Sequence, residues 1–214
     1  SVFNIPDERQ MAPYSLAVYN NTPYTKKKET LSEGDVGNPV PKKVGDISPL
    51  KHVFYIIKEN RTYDQVLGDV AEGNGDTSLV LFGRKVTPNQ HALVKEFVLL
   101  DNFYVNGEVS ADGHNWSMGA YATDYLEKNW PTSYGDRGGS YDSEGTREIA
   151  NNKNGYIWDL CKRNGVSYRT YGEFADDYKP NIPSLNGHIC TYFTSWDQKV
   201  RDTTRFFQWK RDFD

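Results

Sequence analysis

From residue 50 onward, apolar positions come in short unbroken runs separated by turns and by stretches of helical spacing. "HVFYII" (52–57) is such a run, rich in β-formers and the length of a strand covered on both faces. It is followed directly by "KENRTYDQVLGD" (58–69), in which Thr62 and Gln65 have the spacing of a helical capping box and Gly68 stops the helix early. "GNGD" (73–76) reads as a turn and "SLVLFG" (78–83) as a second apolar run. Thr87-Pro88-Asn89-Gln90 predicts another capped helix, with Leu93, Val94 and Phe97 on one face, and "FVLLDNFYV" (97–105) reads as a strand. After Ser110, the residues Met118, Tyr121, Ala122, Tyr125 and Leu126 recur at helical spacing until Trp130-Pro131 closes the segment. A Gly-, Ser- and Asp-rich loop (131–148) follows, then a helix marked by Tyr156, Ile157, Leu160 and Cys161 that Gly165 ends. "VSYRTYGE" (166–173) alternates as a strand, and a last helix is expected around Phe206 to Trp209. Strands alternating with helices, without an internal repeat, predict an α/β layered fold with a mostly parallel sheet.

The first residues read differently. "YSLAVYNNTPYT" suggests one strand and a turn broken at Pro23, and "KKKETLSEGDVGNPVPKKVGD" is charged, rich in Gly and Pro, and aperiodic. Residues 1–46 are therefore assigned to a leading strand and linker, and residues 47–214 to the main domain, with the boundary near Ile47.

Composition narrows the function more than the fold. Of 214 residues, 37% are hydrophobic and 25% charged, as in soluble globular proteins, and 15 Tyr, 10 Phe and 5 Trp supply much of the core material. A net charge of -4 gives no general reason to bind nucleic acid or an anionic membrane. No apolar run reaches the length of a membrane span. Cys161 and Cys190 lack metal-type spacing, and two thiols or one disulfide both agree with the sequence.

Candidate chemistry gathers where the apolar runs end: Glu59-Asn60-Arg61, Asp101-Asn102 and Glu173. In a parallel sheet such exits share one edge, where open α/β folds place their sites. Glu59 and Asn60 offer hard oxygen donors suited to a divalent cation; the ordinary alternative is an ion pair with Lys58 or Arg61 and an amide that caps the turn. Ser110 in "GEVSADGHNWS" stands at a helix start, where free N–H groups favour a phosphate or sulfate; the ordinary alternative is a plain N-cap. Asp112 and His114 lie close enough in sequence to contact a substrate, while His91 reads as an ordinary hydrogen-bonded side chain.

In this order, "HVFYIIKENRTYDQVLGD", "NGD", "VTPNQHAL", "FVLLDNFYV" and "EVSADGHNWS" resemble the bacterial phosphoesterase family of phospholipases C and acid phosphatases, within the alkaline phosphatase superfamily. The resemblance spans roughly residues 50 to 175. It implies a three-layer α/β/α sandwich with a mostly parallel sheet, and hydrolysis of phosphate esters through a covalent phosphoserine. It further implies that Glu59 and Asn60 ligate a divalent metal ion, that Ser110 is the nucleophile with Ser117 as the weaker alternative, and that His114 meets the substrate. By the same resemblance the protein is periplasmic or secreted, the leading segment resembles the tail of a repeat domain, and the remaining metal ligands lie in a later half that residues 176–214 do not supply. The chain on its own is then the N-terminal part of the catalytic domain and inactive. A binding module on the same scaffold, or a sulfatase or phosphodiesterase, are the competing readings.

Overall fold

The computed structural model describes residues 4–31, 34–139 and 144–214, so part of the predicted 131–148 loop lies outside the described residues. The chain divides into two compact units, Ser1–Lys58 and Glu59–Asp214, with the division falling after the predicted boundary near Ile47.

The first unit carries a helix, α1 (Glu8–Asn21), where the sequence suggests a strand. Asp7 caps it by accepting from the Gln10 N–H at 2.8 Å, and the Gln10 side chain accepts from the Asp7 N–H at 3.1 Å. This reciprocal cap starts the helix at Glu8, ahead of Tyr14, where the strand was expected to begin, and local capping overrides the β-propensity of "LAVY". The β-rich run 52–57 forms no ladder, and Val53, Phe54, Tyr55 and Ile56 are exposed.

In the second unit the described helices are α2 (Tyr63–Leu67), α3 (Pro88–Glu96), α4 (Ser110–Gly119), α5 (Asp124–Tyr134), α6 (Ile157–Arg163) and α7 (Asp202–Phe213). The described β-structure is a two-stranded antiparallel ribbon, β1 (Ala175–Asp176) with β2 (Lys179–Pro180), and an isolated parallel bridge from Thr170 to Ile189. The expected run 78–83 begins in a short 3-10 helix (Thr77–Leu79) and continues as bends, 97–105 is turn and irregular chain, and 166–173 contributes only the Thr170 bridge. The three-layer α/β/α sandwich with a parallel sheet thus remains what the family resemblance implies.

Helix ends follow local chemistry closely. Thr62 and Gln65 form the expected capping box at α2. Thr87 does not cap α3, because its hydroxyl donates to the Phe82 carbonyl at 2.7 Å. The single long helix expected after Ser110 is two: Ala120 turns left-handed (φ 61°), Thr123 caps a new helix, and Pro131 lies inside α5 instead of ending it.

The core centres on Phe174, which is fully buried, with ring centroids 4.6 Å from Tyr156 and 5.3 Å from Trp158. A second cluster joins Ala122, Leu126 and Ala150, with Trp116 and Tyr125 packed against it. These two clusters flank α4 and fix the helix that carries the candidate chemistry. Both cysteines are free thiols, Cys190 buried and Cys161 half-buried. No helix among the described residues is long and apolar enough to cross a membrane.

Candidate active site

Helix α4 begins at Ser110 without a side-chain cap. Its N-cap position is held by Val109, in extended conformation, which supplies no side-chain cap hydrogen bond. Ser110 is therefore the first helical residue and not the cap, so its ordinary role as an N-cap does not apply. An uncapped α-helix start leaves backbone N–H groups without intrahelical partners and places the positive end of the helix dipole beside an exposed hydroxyl.

One turn further along, on the same face of α4, lies His114. Its Nδ1 is 2.9 and 3.0 Å from the two carboxylate oxygens of Glu173. Its Nε2 is 3.6 Å from Glu59 Oε1, within ion-pair range but too long for a hydrogen bond. Glu59 and Glu173, named at two of the three polar exits, thus meet on opposite edges of one imidazole. The third does not join them, since Asp101 accepts from the Asn74 N–H at 2.8 Å.

A further carboxylate completes the neighbourhood. Glu144 accepts from the N–H of Phe174 at 3.0 Å, directly after Glu173 in the chain. Among the described residues, three of the non-glycine positions with positive φ flank this cluster: Asn60 at 76°, Glu144 at 49° and Phe174 at 52°. Strained backbone held by tight surroundings is common where side chains must be aimed. Phe174 is held in this way by the Glu144 carboxylate, by aromatic packing, and by the Asn181 N–H donating to its carbonyl at 2.9 Å.

The electrostatics follow from this crowding. The hydrogen bond to Glu173 pushes the His114 pKa up to about 9 against the opposing effect of burial, and the charges of Glu173, Glu144 and Glu59 add to it. Burial, reinforced by the charge of Glu173, pushes Glu144 up to about 7, while His114 and the Phe174 N–H pull the other way. His114 is therefore a cation through neutral pH.

The remaining sequence candidates separate cleanly. Asp112 is wholly buried, so it does not reach a substrate; among the described residues neither carboxylate oxygen has a hydrogen-bond partner, and burial pushes its pKa up to about 6. Ser117 is exposed but lies in the middle of α4, where helical bonding uses the N–H groups that an anion would need. His91 is a structural clamp: its Nε2 is 2.7 Å from Asp69 and its Nδ1 is 2.8 Å from the Thr87 carbonyl. Asn60 is exposed and reverses the chain immediately after Glu59. Glu144 escaped sequence reasoning because it sits in an aperiodic loop, where neither spacing nor a strand end marks it.

Glu59 and Asn60 match a hard divalent cation in donor type, carboxylate and amide oxygen. Their number falls short of a complete centre, and among the described residues no three His, Cys, Asp or Glu side chains are grouped to hold a metal.

The chain matches no protein-family model, no curated protein and no solved structure.

Proposed function

We propose that this chain carries part of the active centre of a phosphate-ester hydrolase that works through a covalent phosphoserine at Ser110. The observation that carries the reading is the meeting of Glu59 and Glu173 at His114, one turn from an exposed serine on an uncapped helix. Residues 114 positions apart in the chain, Glu59 and Glu173, are brought to one histidine, which exceeds what chain-local polar pairing explains.

In this reading the substrate phosphate lies against the first turn of α4. The free backbone N–H groups there bind its non-bridging oxygens, and the helix dipole favours its charge. A divalent cation held by Glu59 and Asn60 supplies, when bound, a lower pKa for the attacking hydroxyl and further charge neutralisation. Ser110 Oγ gives its proton to solvent water and forms the new bond to phosphorus as the bond to the leaving oxygen breaks. His114, protonated at neutral pH, donates its Nε2 proton to that leaving oxygen. Water then attacks phosphorus and passes a proton to His114 as the bond from phosphorus to Ser110 Oγ breaks; Ser110 Oγ takes back a proton from solvent, and inorganic phosphate is the product.

The test is hydrolysis of p-nitrophenyl phosphate and bis-p-nitrophenyl phosphate by the intact protein with added divalent ion. Ser110→Ala is expected to remove turnover, by at least about a thousandfold, while divalent-ion binding measured by calorimetry is retained. Turnover by Ser110→Ala at the wild-type rate would refute the nucleophile assignment. Absence of both ion binding and hydrolysis in the wild type would favour the binding-module reading.

A further inference from the structure

His114 is held from two separate parts of the chain, and a third acts on it through charge alone. Glu59 approaches from the segment before α2, Glu173 from the turn before β1, and the charge of Glu144 acts from the loop after α5. The contacts are unequal. Both oxygens of Glu173 lie at hydrogen-bond distance from Nδ1, whereas among the described residues Nε2 has only the longer approach of Glu59. The edge of the ring that bears Nδ1 is therefore committed, and the Nε2 edge is the one left for chemistry.

The turn that presents Glu173 is itself fixed at three polar backbone atoms. The Glu173 carbonyl accepts from the Thr170 hydroxyl at 2.9 Å. The next N–H, of Phe174, donates to Glu144, and the Phe174 carbonyl accepts from the Asn181 N–H at 2.9 Å. Asn181 in turn donates to the Glu144 carbonyl at 2.8 Å and to the Asp176 carboxylate at 2.7 Å. Gly145, at φ 80°, has no room for a side chain, since an added Cβ would lie 2.5 Å from Ile182 Cγ2. A carboxylate carried on a turn anchored this thoroughly has little freedom to leave the imidazole.

We propose that Glu173 is a positioning residue: by accepting from His114 Nδ1–H it fixes the ring so that Nε2 points away from it, toward the Glu59 side, and Glu144 holds Glu173 in place through the Phe174 N–H. The inference rests on the phosphoesterase reading for its consequence in catalysis, but the contact itself does not. It assigns roles to two carboxylates that the resemblance leaves without one.

The test uses the intact protein labelled with ¹⁵N, and Glu173→Gln, Glu144→Gln and His114→Ala variants whose folding is checked by thermal melts. Wild type is expected to show a downfield, slowly exchanging imidazole N–H resonance that His114→Ala removes. In Glu173→Gln that resonance moves upfield and exchanges with water at least about tenfold faster; in Glu144→Gln the exchange quickens to a lesser degree. In parallel, Glu173→Gln lowers kcat for p-nitrophenyl phosphate by about 10–100-fold, as loss of an orienting partner does, with KM changed less than twofold. A wild type without the resonance, or a Glu173→Gln variant in which it is unchanged, overturns the positioning role. A resonance that behaves as expected in a protein that hydrolyses no phosphate ester keeps the His114–Glu173 pair and removes the phosphoesterase reading alone.

Discussion

Asp112 and His114 sit two residues apart on α4 and meet opposite conditions. His114 is turned toward carboxylates that favour its charge, while Asp112 is buried with no partner for either oxygen among the described residues. The pKa of Asp112 is raised from its ordinary carboxylate range to about 6, mainly by burial and secondarily by the charge of Glu127. The native state thus binds a proton that the unfolded chain releases near pH 4, and the stability linked to this group is lost as pH rises through about 6. Asp112→Asn is expected to stabilise the protein by about 1–2 kcal/mol at pH 8, and to be nearly neutral at pH 4. Chemical denaturation at the two pH values checks it; an equal effect at both would mean that the carboxylate is not desolvated. The sequence treats the two side chains alike, as close enough to contact a substrate, although helical spacing from Ser110 reaches His114 and leaves Asp112 off that face. What the sequence could not convey was the partner set. Glu173 stood out as a polar end of an apolar run, but its pairing with His114 depends on the Phe174 turn, and Glu144 lies in an aperiodic loop.

At the scale of elements, caps were readable where the side chain had no better partner. Thr62 and Gln65 form their box as spaced, whereas the Thr87 hydroxyl is drawn to the Phe82 carbonyl and leaves α3 uncapped. The Asp7–Gln10 box was equally available in the sequence and outranked the β-formers that follow it. Strands are harder because pairing is not local: a run such as 52–57 declares a preference for being covered, and only the rest of the chain supplies the cover. The structure leaves 52–57 and 97–105 without ladders and with Val53, Ile56, Phe103 and Tyr104 in solvent, while the sandwich implied by the resemblance needs both segments within a sheet. Hydrogen exchange separates these arrangements. Amides of both segments are expected to exchange quickly while those in the body of α6 are retained; protection across both segments would place them in a sheet and support the sandwich.

Across the whole molecule, the second unit gathers the candidate chemistry, and its aromatic core around Phe174 links packing to function, since the residue that closes the core directly follows the carboxylate that holds His114. A net charge of -4 leaves a polyanionic partner without an electrostatic reason, while a single phosphate ester needs only the local field of the α4 start and the His114 cation. The charged, Gly- and Pro-rich stretch suggests a boundary near Ile47, and the two compact units divide after Lys58, with the 52–57 run in the first. The most direct measurement is peptide mass spectrometry of the intact protein, mixed with a phosphate ester and divalent ion and quenched in acid during turnover. One phosphoryl group on the peptide containing Ser110, localised to that serine and absent from Ser110→Ala, is the expected result. Turnover that leaves Ser110 unmodified while another residue, such as Ser117, carries the phosphoryl group would contradict it.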